Sequence, residues 1–173
     1  MTIKCAQGVL QNTLTHDEHV NMGLQWVVFE ATHGDAQKGL LFRWFMVKQH
    51  SPRFLMISQQ ARDQVSEIEI DEFLAMRKDG SNLVVIDVRD GYETANGYLE
   101  GAILMSKGIL ERDIEKLNIP DDERIVLYCG GGYRSAMAAV AMKTMGWTNV
   151  HSLWGGWRAI TSAGLPTSTE AQE

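Results

Sequence analysis

From residue 66 onward, short apolar runs alternate with stretches in which apolar positions recur every three or four residues, the pattern of strands followed by helices. Ile68-Glu69-Ile70 alternates as a short edge strand, and Asp71 with Phe73, Leu74 and Met76 predicts a helix closed by Gly80. Leu83-Val84-Val85-Ile86 reads as the first buried strand and Ala102-Ile103-Leu104-Met105 as a shorter one. Ile109, Leu110, Ile114 and Leu117 follow at helical spacing and stop at Asn118-Ile119-Pro120. Arg124 to Tyr128 is the second buried strand, and Ala136 to Met145 has the composition of a buried helix ended by Gly146. A last strand, Asn149 to Leu153, runs into the tight turn Trp154-Gly155-Gly156-Trp157 and a short helix reaching Gly164. The alternation predicts an α/β fold: a central parallel sheet flanked by helices.

Upstream the pattern is different. Residues 1–60 show no clean period, although Gly39 to Val47 is a dense aromatic cluster ending at Ser51-Pro52. A segment of this size cannot bury a core alone, so the cluster must dock on the rest of the chain, pair with another subunit as a homodimer, or stay loosely ordered. The expected division is an N-terminal extension or arm over 1–60, the α/β domain over 61–166, and a polar C-terminal tail over 167–173 that frays.

Composition narrows the function. The 173 residues include 45% hydrophobic and 22% charged, enough apolar surface for a sizeable core. A net charge of −6 leaves no broad basic field to hold nucleic acid or an anionic membrane. With Cys5 and Cys129 as the two cysteines, a four-cysteine zinc site cannot be built. The first residues lack the apolar run of a secretory signal, and the Gly39–Val47 stretch carries Arg43 and falls short of a membrane span. The expectation is a chain in a reducing cytoplasm, with Cys129 a thiol.

The informative junction is Cys129-Gly130-Gly131-Gly132-Tyr133-Arg134-Ser135, between a buried strand and a helix. In parallel sheets, ligands gather beyond the carboxyl ends of strands, where the next helix offers unpaired N–H groups and the positive end of its dipole. Three glycines let the backbone curl so that N–H groups face inward around the sulfur, an anion nest that favours thiolate. Arg134 adds a forked cation suited to an oxyanion, and Ser135 can help cap the helix. A nucleotide-binding loop is excluded, because no GxxxxGK[ST] run is present. The plainer alternative is a small buried cysteine followed by an ordinary glycine turn.

Five ordered segments carry a resemblance: Val85-Ile86-Asp87-Val88-Arg89 with Glu93 after it; Gly97 to Ala102; Ile125 to Cys129; Gly132 to Ala136; and Leu153 to Trp157. Residues from about 66 to 166 resemble a rhodanese-homology domain, the single-domain sulfurtransferase kind. The family more often has His where Tyr98 stands and Pro where Glu100 stands, so altered loop detail is expected there. The resemblance implies a rhodanese-like α/β fold and a six-residue active loop from Cys129 to Arg134. Members that transfer sulfur have four residues between Cys and Arg, whereas dual-specificity phosphatases of the same fold have five; here Gly130 to Tyr133 is four.

The implied activity moves a sulfane sulfur from a donor such as thiosulfate to cyanide, a small thiol or a protein thiol through a Cys129 persulfide, with no metal or organic cofactor. The alternative is a sulfur-carrier or protein-interaction module with little turnover of its own. Asp87 and Arg89, at the end of the neighbouring strand, are expected to approach the same crevice, as direct substrate contacts or as a salt-bridge network behind it. Glu93 is expected to be structural, and Trp154 and Trp157 to form a packing corner. His151, on the last strand, reads as a surface or edge residue, His16 and His19 as a solvated face, and Cys5 has no assigned role.

Overall fold

The computed structural model describes residues 50–169. Cys5, His16, His19 and the Gly39–Val47 cluster lie outside the described residues, as do residues 170–173.

The described chain opens with helix α1 (Pro52–Arg62), where the sequence shows no clean period. Its start is nonetheless written locally: Ser51 accepts the Phe54 N–H, and Pro52 occupies the first helical position, where no N–H is needed. The expected boundary at residue 60 falls within this helix, which packs against the later helix over Tyr133–Met145. β1 (Ser66–Ile68) is followed at once by α2 (Ile70–Lys78). Ile70, expected at the end of the edge strand, is thus the first helical residue, because Glu69 and Glu72 form a reciprocal capping box. β2 (Val84–Asp87) leads into a four-residue helix, α3 (Gly91–Thr94), then β3 (Tyr98–Leu99) and β4 (Ile103–Leu104). α4 (Leu110–Asp113) passes into a 3₁₀ turn over Ile114–Leu117, which Asn118 ends in the left-handed conformation at φ 48°. β5 (Ile125–Tyr128), α5 (Tyr133–Met145), β6 (Val150–Leu153), α6 (Gly156–Ser162) and β7 (Thr167–Ser168) complete the chain.

Five strands form one parallel sheet in the order β1-β6-β5-β2-β4. β5 is its central strand and is buried throughout. Its side chains alternate in period two: Ile125, Leu127 and Cys129 join the core beneath α4 and α5, while Val126 and Tyr128 join the core with Phe73 of α2 and Ile160 of α6. That alternation aims the Cys129 side chain at the α5 face. The tail expected to fray contributes β7, which pairs antiparallel with β3, and the Pro166 carbonyl accepts the Glu100 N–H. The Tyr98–Glu100 segment, where the chain departs from the usual family residues, is therefore held by its own C-terminal end. Among the described residues, no helix is long and apolar enough to cross a membrane.

Candidate active site

Cys129 directly follows β5 at the centre of the sheet and is 2% exposed, at the floor of the loop that leads into α5. The Gly132 N–H donates to Cys129 Sγ at 3.2 Å, and Ser135 Oγ lies 3.8 Å from the same sulfur. The first-turn N–H groups of α5 have no partner within the helix, so its positive end faces this place.

The α6 turn supports the loop from behind. Trp157 N–H donates to the Cys129 carbonyl at 2.6 Å. A Cβ at Gly156 would collide with that same carbonyl and come within 3.1 Å of the Gly131 nitrogen. Gly132, at φ 105°, caps α5 in the left-handed region, and a Cβ there would meet the Trp154 ring at 2.7 Å. Gly156 is thus needed for the backbone approach of the α6 turn to the loop, and Gly132 for the seating of the Trp154 ring against it, so the nest and the packing corner are in contact.

Ser135 is not a helix cap. It is fully buried, donates to the Gly132 carbonyl at 3.0 Å and accepts from Ser152 Oγ at 2.9 Å, so its hydroxyl braces the loop against β6.

Arg134 leaves the loop for α3. Its two terminal nitrogens donate to the two carboxylate oxygens of Glu93 at 2.6 and 2.8 Å, and one also approaches Asp90 at 3.4 Å. The Glu93 hydrogen bonds hold the guanidinium more firmly protonated than usual, with the Cys129 charge adding to the effect. Reciprocally, the Arg134 hydrogen bonds hold the Glu93 carboxyl below its ordinary range against the opposing effect of burial. Glu93 also accepts the Asp90 N–H, closing a capping box at the start of α3. The spacing Asp90-Gly91-Tyr92-Glu93 is the signal that could have revealed α3 in the sequence.

Asp87 and Arg89 are not brought to the sulfur. Both are buried and make a direct pair, with Arg89 Nη2 2.7 Å from Asp87 Oδ2 and 2.7 Å from the Gly97 carbonyl. Asp87 stands beside Tyr128 in register, on the sheet face opposite Cys129. Burial is the largest cause that pushes the Tyr128 phenol up, with the Asp87 charge next, so it stays protonated; its oxygen accepts the Leu99 N–H at 3.0 Å. The Arg89 guanidinium lies 4.3 Å from the Trp157 ring centre. Through Trp157 the pair reaches the loop's base; it makes no approach to the reacting atom.

Tyr133 sits at the rim amid His50, Phe54 and Trp154, at ring-centre distances of 5.1, 5.9 and 5.5 Å. Arg62 stacks over Trp154 at 3.8 Å and is paired with Glu67. His151, expected at a surface or an edge, lies on β6, an inner strand paired on both sides, where its ring bonds Ser66 of β1 and Asn149. Among the described residues, no three of His, Cys, Asp and Glu gather as metal ligands.

The sequence pattern of the Rhodanese-like domain family matches residues 69–163, more than half of the chain. The chain belongs to that family. A tRNA uridine(34) hydroxylase of Leptospira interrogans is 33% identical to this rhodanese domain over 93 residues, 51% of the chain and 25% of the hydroxylase. A sulfurtransferase of Allochromatium vinosum is 29% identical over 102 residues, 59% of the chain and 94% of that protein. The chain thus spans a quarter of the first relative and nearly all of the second. Among solved structures, a protein of unknown function from Rhodopseudomonas palustris, described as a possible tyrosine phosphatase, superposes with a TM-score of 0.59 at 27% identity. That match covers 72% of this chain and all of the other.

Proposed function

We propose that this rhodanese domain transfers sulfane sulfur through a persulfide on Cys129. The observation that carries the reading is the Gly132 N–H aimed at Cys129 Sγ where the helix α5 begins. A main-chain donor and a helix N-terminus both favour negative charge on a sulfur there. The Cys129 thiolate attacks the outer sulfur of thiosulfate or another sulfane donor; the donor's S–S bond breaks, and sulfite leaves with the electron pair. A persulfide with a negative terminal sulfur remains. Cyanide or a thiolate then attacks that terminal sulfur, the bond to Cys129 breaks, and the thiolate is restored, so ping-pong kinetics follow. The residue's 2% exposure suits small donors and acceptors that reach the floor of the loop. Arg134, held by Glu93, shapes the loop, and Ser135 braces it.

The test is intact-mass analysis after exposure to thiosulfate and to other sulfane donors. A gain of one sulfur atom, absent from Cys129→Ser and removed by cyanide, is the expected result. No Cys129-dependent gain from any donor would defeat the reading. Sulfur gain with negligible thiocyanate formation would assign the chain to sulfur carriage, and Cys129-dependent hydrolysis of an aryl phosphate would assign it to phosphoryl chemistry.

A further inference from the structure

Three charged groups frame the Cys129 loop on the α3 side: Arg134, Glu93 and Asp90. They sum to one negative charge, and a thiolate at Cys129 makes the site more negative still. An anionic donor approaching this loop would be repelled unless another cation faced it. Arg62 is paired with Glu67, and Arg89 is buried against Asp87 on the far face of the sheet.

Arg158 is placed differently. It is the third residue of α6, is exposed, and lays its guanidinium across Gly131 in the middle of the loop. A side chain at position 131 would run into it: the guanidinium carbon would lie 3.3 Å, and Nε 3.6 Å, from the first side-chain carbon. Among the described residues, no hydrogen bond, ion pair or ring contact engages this guanidinium. The middle glycine of the run therefore makes room for a cation whose donors remain available at the loop's rim.

We infer that Arg158 is the residue that binds the oxyanion end of the sulfur donor, and so selects thiosulfate and related donors bearing a charged oxygen end over uncharged polysulfanes. Arg134 has its terminal nitrogens committed to Glu93 and serves as a positioning residue for the loop. The forked guanidinium of Arg158 matches two oxygens of a sulfonate-like group, while the outer sulfur of the donor points down to Cys129. The inference deepens the sulfurtransferase reading and rests on it for the reaction, but not for the binding of the anion.

The decisive measurement is therefore equilibrium binding of thiosulfate to the Cys129→Ser protein by titration calorimetry, where no chemistry can occur. Adding Arg158→Gln should weaken binding by about 10-fold or more, the loss of a charge-assisted hydrogen-bonding partner. Adding Arg158→Lys should restore part of it, and adding Arg53→Gln, an exposed arginine of α1, should change nothing. In the protein with Cys129 intact, Arg158→Gln should raise the thiosulfate concentration for half-maximal sulfur loading about 10-fold, and leave the saturated rate within about 3-fold. Equal thiosulfate affinity with and without Arg158, or no thiosulfate binding to the Cys129→Ser protein, would overturn the inference. Arg158-dependent binding without any sulfur gain at Cys129 would uphold the anion site and defeat the transfer reading instead.

Discussion

Arg134 and Glu93 face each other across the mouth of the loop with the two terminal guanidinium nitrogens on the two carboxylate oxygens, joining the start of α5 to α3, 41 residues earlier in the chain. The contact is bidentate and half-buried, so it fixes direction as well as distance. It makes the first turn of α5, and with it the Gly132 N–H, depend on a segment that never touches the sulfur. Arg134→Ala and Glu93→Ala should therefore damage sulfur loading to a similar degree, and the double variant should be little worse than either. In urea denaturation the coupling between them should be about 1 kcal/mol, between the values for exposed and charge-assisted buried pairs. Independent, additive losses would show that the two side chains act separately.

The same pair sets an acid limit. The folded-state pKa of Glu93 is depressed, chiefly by the Arg134 hydrogen bonds. Its contribution is therefore complete above the unfolded carboxyl value of about 4.3 and is lost as pH falls through the lower folded value. Thermal melting of the wild type and Glu93→Gln should differ by a constant margin at neutral pH and converge in acid, below about pH 4. A margin that persists unchanged in acid would mean that the stabilisation is not ionic.

Gly156 tests the approach behind the loop. A Cβ there meets the Cys129 carbonyl at a backbone φ of 50°, so Gly156→Ala should cost about 3 kcal/mol or more, from steric displacement together with left-handed strain. Gly91, at the first position of α3 with open space around it, is the control; Gly91→Ala should be neutral or stabilising by about 0.5 kcal/mol. Urea midpoints of the two variants check both expectations, and comparable midpoints would refute the close approach.

Breaking the buried Asp87–Arg89 pair should be felt as stability. Arg89→Met leaves Asp87 charged, buried and unpartnered by the guanidinium, a cost of about 3–5 kcal/mol. Sulfur loading per folded molecule at low temperature should stay close to wild type, since neither side chain reaches Cys129. A folded Arg89→Met protein that fails to load sulfur would move this pair into the reaction.

Much of the architecture was legible because its rules are local. The apolar runs of β2 and β5 and the glycine at 146 announce themselves within a few residues, and so does the cysteine at a strand end followed by three glycines. Elsewhere the signals are short or shared between distant segments. Helix α1 buries little of its surface, so its period is weak although its Ser-Pro start is clear. α3 spans four residues, too few for a hydrophobic period, and its one local signal is the spacing of the Asp90 and Glu93 capping box. β3 and β7 are two residues each and exist because they meet each other, which no pattern within either one reveals.

The candidate site divides along the same line. The strands themselves and the sulfur's place at the end of one follow from hydrophobic period and from the chain's need to turn at glycine, both properties of neighbours in the chain, whereas the order β1-β6-β5-β2-β4 is set by packing. The commitment of Arg134 to Glu93, the turning of Asp87 to the other face, the contact of Gly156 with the Cys129 carbonyl and the freedom of Arg158 depend on which distant groups compete for the same charge or space. Such competition is settled only when the elements pack, because a guanidinium pairs with whichever carboxylate the fold brings within reach. A cation's sign can be read from its letter; whether any of its charge is left for a substrate depends on the neighbours that folding assigns to it.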